Sequence, residues 1–199
     1  MDPGLGRTGV ALVDGHPGAL LLVHAGCVET APGGEEGDRL LALSRALAHL
    51  AGQLHPEVAA VERLFFSTNR QTAMLVSEAR GVILCTLAAA GIPVAEYGPN
   101  EVKESIAGYG AANKRQVMTM CATVLGARLS GLPDDAADAC AIAVCHHHRA
   151  GLRRHAVAGA GPRTSPSLEA AIAAARGAGP AGSGAGRATG SHAAEEPQP

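Results

Sequence analysis

HPEVAAVERLFF, residues 55–66, opens on a helix breaker, continues as a short apolar run and ends on a charge followed by two aromatics. His55 and Pro56 stop whatever precedes them. EVAAVE (57–62) then reads as a strand. The segment before it, DRLLALSRALAHLAGQL (38–54), carries leucines at 40, 41, 43, 47, 50 and 54, an amphipathic spacing with Asp38 as its cap. A strand reached through a helix of that length runs parallel to an earlier strand. Glu62 therefore sits where a buried strand ends, as an ordinary strand-end charge or as a ligand.

Working outward, MDPGLGRTG (1–9) is a glycine-rich turn, and VALVDG (10–15) with ALLLVHAGCVET (19–30) reads as a hairpin. Beyond the central strand, STNRQTAMLVSEARGVILCTLAAAG (67–91) is a long helix stopped at Gly91, and IPVAEY (92–97) is a further strand. PNEVKESIAG (99–108) is a short helix with Pro99 at its first position. YGAANKRQVMTMCATVLG (109–126) is a loop running into a helix, and DDAADACAIAVCHHHRAG (134–151) is the last helix. This order predicts an α/β domain with a mixed central sheet flanked by helices over residues 1–157. Residues 158–199 turn to Gly, Ala, Ser and Pro and read as a disordered tail.

The chain has 199 residues, enough for one domain with a real core. Aromatics make up only 2%, so the core is built from aliphatic side chains. A formal charge of -2 excludes a globally basic nucleic-acid binder and leaves room for a local basic patch. Five cysteines without a CxxC pair predict a reduced, cytoplasmic protein. No run of 18 apolar residues and no signal peptide is present, so no membrane is expected as a partner.

Carboxylates fall at element ends. Asp2 stands beside the first turn, Glu62 ends a strand, and Asp135 and Asp138 are three apart and share one helix face. Neighbouring carboxylates near a core repel and are costly to bury. A hard divalent cation, Mg²⁺ or Mn²⁺, relieves both costs, and a pair of ions suits phosphodiester hydrolysis. Spacing alone leaves the plainer readings open: helix caps at Asp134 and Asp135, a strand-end charge at Glu62, a turn residue at Asp2. The histidines of CHHHRAG (145–151) do not read as a zinc site, because neighbours on one helix point in different directions; contact with the helix's negative end or with DNA phosphate is expected instead.

Four stretches, in order, resemble the RuvC-type Holliday-junction resolvases: DPGLGRTG (2–9), VERLFFSTNRQTAMLVSEARG (61–81), NEVKESIAGYGAANKRQV (100–117) and DDAADACAIAVCHH (134–147). The resemblance implies a ribonuclease-H-like three-layer fold and catalytic, metal-holding carboxylates at Asp2, Glu62, Asp135 and Asp138. It implies Mg²⁺ or Mn²⁺, two ions per subunit, and symmetric cleavage of a four-way junction in DNA recombination and repair. It further implies a homodimer, with residues 70–90 at the interface, and a branch-migration motor, RuvA–RuvB, as partner. Lys103 and Lys114 match basic positions near the scissile phosphate, where a lysine suits developing negative charge. Phe65 matches an aromatic that touches bases at the junction centre, and Phe66 stacks beside it or packs inward. Arg70 and Arg115 are candidate DNA-backbone contacts.

The family's first strand runs several residues ahead of its aspartate, whereas here only Met1 precedes Asp2. A truncated first strand is the expectation, with Asp2 on a loose terminus beside the α-amino charge and weakly preorganised. The alternative function is accordingly a catalytically impaired junction-binding protein. More distant readings are another ribonuclease-H-like enzyme or a sugar-kinase-like phosphotransferase, the latter disfavoured because the chain is too short for a second domain.

Overall fold

The structure, a computed structural model, describes residues 1–63 and 70–157. Phe65, Phe66 and the expected tail at 158–199 lie outside the described residues, as does the side chain of Arg70. The elements run β1 (Arg7–His16), β2 (Ala19–Glu29), α1 (Glu36–Leu54), β3 (Ala59–Glu62), α2 (Arg70–Ala89), β4 (Val94–Tyr97), α3 (Pro99–Ala107), α4 (Lys114–Leu125) and α5 (Asp134–Val157). β1 and β2 form an antiparallel hairpin; β3 and β4 pair in parallel, with Glu62 opposite Tyr97.

Two residues join these ladders. Asp2 forms an antiparallel bridge with Gly9 of β1. On the other side, the Met1 amino group donates to the Ala60 carbonyl at 2.6 Å, and the Glu62 N–H donates to the Met1 carbonyl at 3.1 Å. That alternation is the parallel pattern, so Met1 lies beside β3 as a strand would. The order across the sheet is β2, β1, Met1–Asp2, β3, β4. The expected loose terminus is therefore corrected: Met1 is buried and bonded to β3, and Asp2 is bonded to β1.

Alternation along the strands feeds opposite layers. Val10, Val28 and Val61 face a cluster with Leu43 and Leu47 of α1 and Ile83 and Leu87 of α2. Val13, Leu20 and Tyr97 face another, with Ile106 of α3, Val117 and Cys121 of α4, and Ile142 and Val144 of α5. Burying each large aliphatic side chain contributes about 1.5–3 kcal/mol. The result is a mixed sheet with helices on both faces, the three-layer α/β fold expected. All five cysteines are free thiols. Among the described residues no helix is long and apolar enough to cross a membrane.

Some local expectations shift. α1 begins at Glu36, so Asp38 sits in its first turn rather than capping it. α5 begins at Asp134, as expected, so Asp134 and Asp135 sit in its first turn. The three adjacent histidines of α5, His146 to His148, radiate as expected, but toward protein groups. His146 Nδ1 pairs with the Tyr97 hydroxyl at 3.0 Å, and His147 Nε2 donates to the Val13 carbonyl at 3.1 Å. His148 Nδ1 donates to the Ser105 carbonyl at 3.0 Å. These bonds tie α5 to β4, β1 and α3.

Candidate active site

The site assembles where the Met1–Asp2 segment, the end of β3 and the first turn of α5 meet. Turn chemistry holds the first part. The Thr8 hydroxyl donates to the Gly4 carbonyl at 2.7 Å and is fully buried, closing the loop that returns the chain from Asp2 to β1. The Thr30 hydroxyl donates to the Leu5 carbonyl at 2.6 Å, pinning the same loop to the end of β2. Gly9 allows the close approach that follows: a Cβ there would overlap the Asp135 carbonyl, so β1 and the start of α5 touch backbone to backbone.

Asp2 and Glu62 extend from adjacent positions across the sheet, and both are half-buried. Burial pushes the Asp2 carboxyl up to about 7, and the negative charges of Glu62, Asp138 and Asp135 add to the shift. Burial also raises Glu62, with Asp138 the next cause, while the Met1 amine and a hydrogen bond from Asp2 act the other way. Burial pushes the Met1 amine down to about 6, despite the carboxylates around it. The four carboxylates thus share one electrostatic neighbourhood that is short of positive charge.

Two side-chain cations partly supply it. Lys114 Nζ, at the start of α4, stands 2.9 Å from Asp138 and 3.3 Å from Asp134. Burial alone would lower the Lys114 ammonium; the hydrogen bonds and charges of Asp138 and Asp134 outweigh it and hold the group raised. Arg7 lies 3.4 Å from Asp135 and 3.4 Å from Glu29. With Lys114 and Arg7 in these positions, no three acidic, histidine or cysteine side chains among the described residues are arranged around one metal ion. The donors themselves fit a hard divalent cation, being all carboxylate oxygens, and burial together with the neighbouring acids already disfavours the charged forms of Asp2 and Glu62.

The structure therefore brings Asp2, Glu62, Asp135, Asp138 and Lys114 together. Lys103 lies on α3, half-buried, and makes no ion pair with these acids among the described residues. Arg115 is exposed in the first turn of α4, and Arg70 begins α2. Sequence reasoning missed Arg7, whose only local signal is a cation directly after the glycine turn. It also missed the hold of Lys114 on Asp134.

The mixed sheet with helices on both faces, and with carboxylates on its middle strands and on the helix packed against it, has the ribonuclease-H-like fold. The family model described as "Crossover junction endodeoxyribonuclease RuvC" matches residues 1–146, and the chain belongs to this RuvC family. A protein of that description from Roseiflexus sp. (strain RS-1) is 47% identical over 154 residues, covering 77% of this chain and 92% of the relative. One from Chloroflexus aggregans is 47% identical over 150 residues, covering 75% and 92%. Among solved structures, "T. thermophilus RuvC in complex with Holliday junction substrate" superposes with a TM-score of 0.73 at 33% identity, covering 76% of this chain and 93% of that one. "Thermus thermophilus RuvC structure" gives 0.69 at 34% identity with the same coverage.

Proposed function

We propose that this chain is a divalent-metal-dependent endonuclease that resolves four-way DNA junctions by paired, symmetric phosphodiester hydrolysis. The observation that carries the reading is the convergence of Asp2, Glu62, Asp135 and Asp138, strong enough that the other three acids help push Asp2 up to about 7. Family membership and the similarity to a junction-bound relative support the substrate.

In this reading the four carboxylates hold two Mg²⁺ or Mn²⁺ ions. When bound, the ions supply a water nucleophile active at neutral pH and a counter-charge for the leaving oxygen. The chain's own groups do the rest. Asp2 and Glu62, whose carboxyls are raised, would hold the ions in their deprotonated forms. Asp135 and Asp138, paired here with Arg7 and Lys114, would be the acids that α5 offers to the same ions. Lys114 is a mobile point charge for the phosphate oxygens, and Lys103 reaches the same anion from α3. Phe65 and Phe66 stack on bases exposed at the junction centre, while Arg70 and Arg115 hold the backbone.

Two strands cut in register require two sites, hence a homodimer. RuvA–RuvB, a branch-migration motor, is the partner that would supply moving junctions, and a reducing cytoplasm suits five free thiols.

The test is cleavage, with Mg²⁺ or with chelator, of a labelled four-way junction, a linear duplex of the same sequence and an RNA–DNA hybrid. Cutting of the junction alone, and only with metal, is expected. Preferential cutting of the hybrid would reassign the chain to another branch of the ribonuclease-H-like class. Junction binding without cutting would favour the impaired, binding-only alternative.

A further inference from the structure

Beside the carboxylates, α4, the turn after it and the start of α5 enclose an open groove of about 720 Å³. Its floor is apolar, with Met118, Leu132 and Ala137 among its residues. Its cations are Lys114 and Arg115 from the first turn of α4, and Arg128 from the turn that follows. Asp134 is its one acid, and Lys114 already engages it at 3.3 Å.

Arg115 and Arg128 differ from the cations held in ion pairs. Arg7, Arg63, Lys114 and Arg149 all stand in ion pairs. Arg115 and Arg128 are exposed, and neither has an ion pair among the described residues. In a chain of net charge -2, two unneutralised guanidinium groups on one groove concentrate positive potential there. A planar guanidinium matches the paired oxygens of a phosphate. An apolar floor between such cations matches the sugar face of a nucleotide.

The groove is continuous with the candidate active site, because Lys114 lines the groove and also holds Asp138. A strand with one phosphate at the carboxylates has this groove as its next stretch of surface. We infer that the groove carries the sugar–phosphate backbone of the cleaved DNA strand beyond the scissile bond, with Arg128 a phosphate contact alongside Arg115. The inference rests on the junction-nuclease reading above and adds a path and a residue to it. Contacts of this kind position a strand and carry no sequence information.

The experiment is binding of a fluorescent four-way junction in Ca²⁺, measured across a series of salt concentrations. Wild type, Arg128→Gln, Arg115→Gln and Arg45→Gln are compared, with Mg²⁺-dependent cleavage by wild type as a separate arm. Arg45 is an exposed cation on α1, in the opposite helical layer, and its variant makes the same change in net charge. Arg128→Gln and Arg115→Gln are each expected to weaken binding several-fold and to lower the slope of log affinity against log salt by roughly 1. Arg45→Gln should leave that slope unchanged. Wild type that binds and cuts, with Arg128→Gln indistinguishable from Arg45→Gln, would overturn the groove assignment alone. Wild type that neither binds nor cuts the junction would overturn the nuclease reading and the groove with it. Unchanged melting temperatures for the three variants would confirm that the folds being compared are the same.

Discussion

Asp2 and Gly9 exchange both backbone hydrogen bonds, at 3.0 and 2.9 Å, and Gly9 is also the point where β1 meets the backbone of Asp135. One glycine thus spaces two of the candidate carboxylates. Gly9→Ala would drive its methyl group into a carbonyl oxygen, which cannot rotate away as a side chain could. A loss of about 1–3 kcal/mol is expected, typical of overpacking. Urea denaturation would measure it, and cleavage should fall further than the loss of folded protein accounts for, because Asp135 moves with α5.

The raised carboxyl of Asp2 gives the metal-free protein a signed pH dependence. Between about 4 and 7 the unfolded Asp2 is ionised while the folded one keeps its proton, so stability falls as pH rises through that window. Glu62 is raised as well and contributes in the same direction. The Met1 amine opposes them: between about 6 and 8 it is neutral when folded and charged when unfolded, so its contribution rises with pH. Melting temperatures in chelator should decline from pH 5 to 6, then flatten. Asp2→Asn, which fixes the neutral form, should reduce the decline; an undiminished decline would place its origin elsewhere.

Divalent metal should act on the same protons. Binding Mg²⁺ near pH 6 is expected to release protons from the Asp2–Glu62 pair and to raise the melting temperature by mass action. Calorimetry in buffers of differing ionisation enthalpy counts the released protons directly. Chelation should reverse the stabilisation and stop cleavage, and Asp138→Asn should weaken metal binding.

Lys114 stands between the two states. Its ammonium would compete with a metal ion for Asp138, yet it is also a cation at the carboxylates where, in the proposed reaction, a phosphate would bind. Lys114→Met should therefore tighten Mg²⁺ binding while lowering the cleavage rate by roughly 10²-fold, the size of effect seen when one preorganised donor to a developing anion is removed. Weakened metal binding in this variant would show that Lys114 supports the carboxylates instead of competing for them.

Local signals in the sequence reach some of this architecture and not the rest. The spacing of Asp135 and Asp138 puts them on one helix face wherever α5 begins, and Pro99 and Gly108 delimit α3 by chain chemistry alone. The anchoring of Met1 was not legible, because it depends on hydrogen bonds to Ala60 and Glu62, some sixty residues away. From the sequence Asp2 reads as loosely held; in the fold, its neighbour completes a ladder. The Arg7–Asp135 pair was invisible for the same reason, since only the packing of α5 on β1 brings its members together. The histidines of α5 read as candidate phosphate contacts until Tyr97, Val13 and Ser105 are seen to engage their rings.

Convergent carboxylates are the centre of the functional reading, and Glu62 is the one that lies on a complete strand, next to the Met1–Asp2 segment. The most direct measurement is Mg²⁺-dependent cleavage of a four-way junction labelled on opposing strands, comparing wild type with Glu62→Gln at equal, saturating junction binding. Paired symmetric nicks from wild type and a loss of at least about 10²-fold in Glu62→Gln are expected, on the scale of removing one charge-stabilising group from an active site. Undiminished nicking by Glu62→Gln would contradict the assignment of these carboxylates as the catalytic centre.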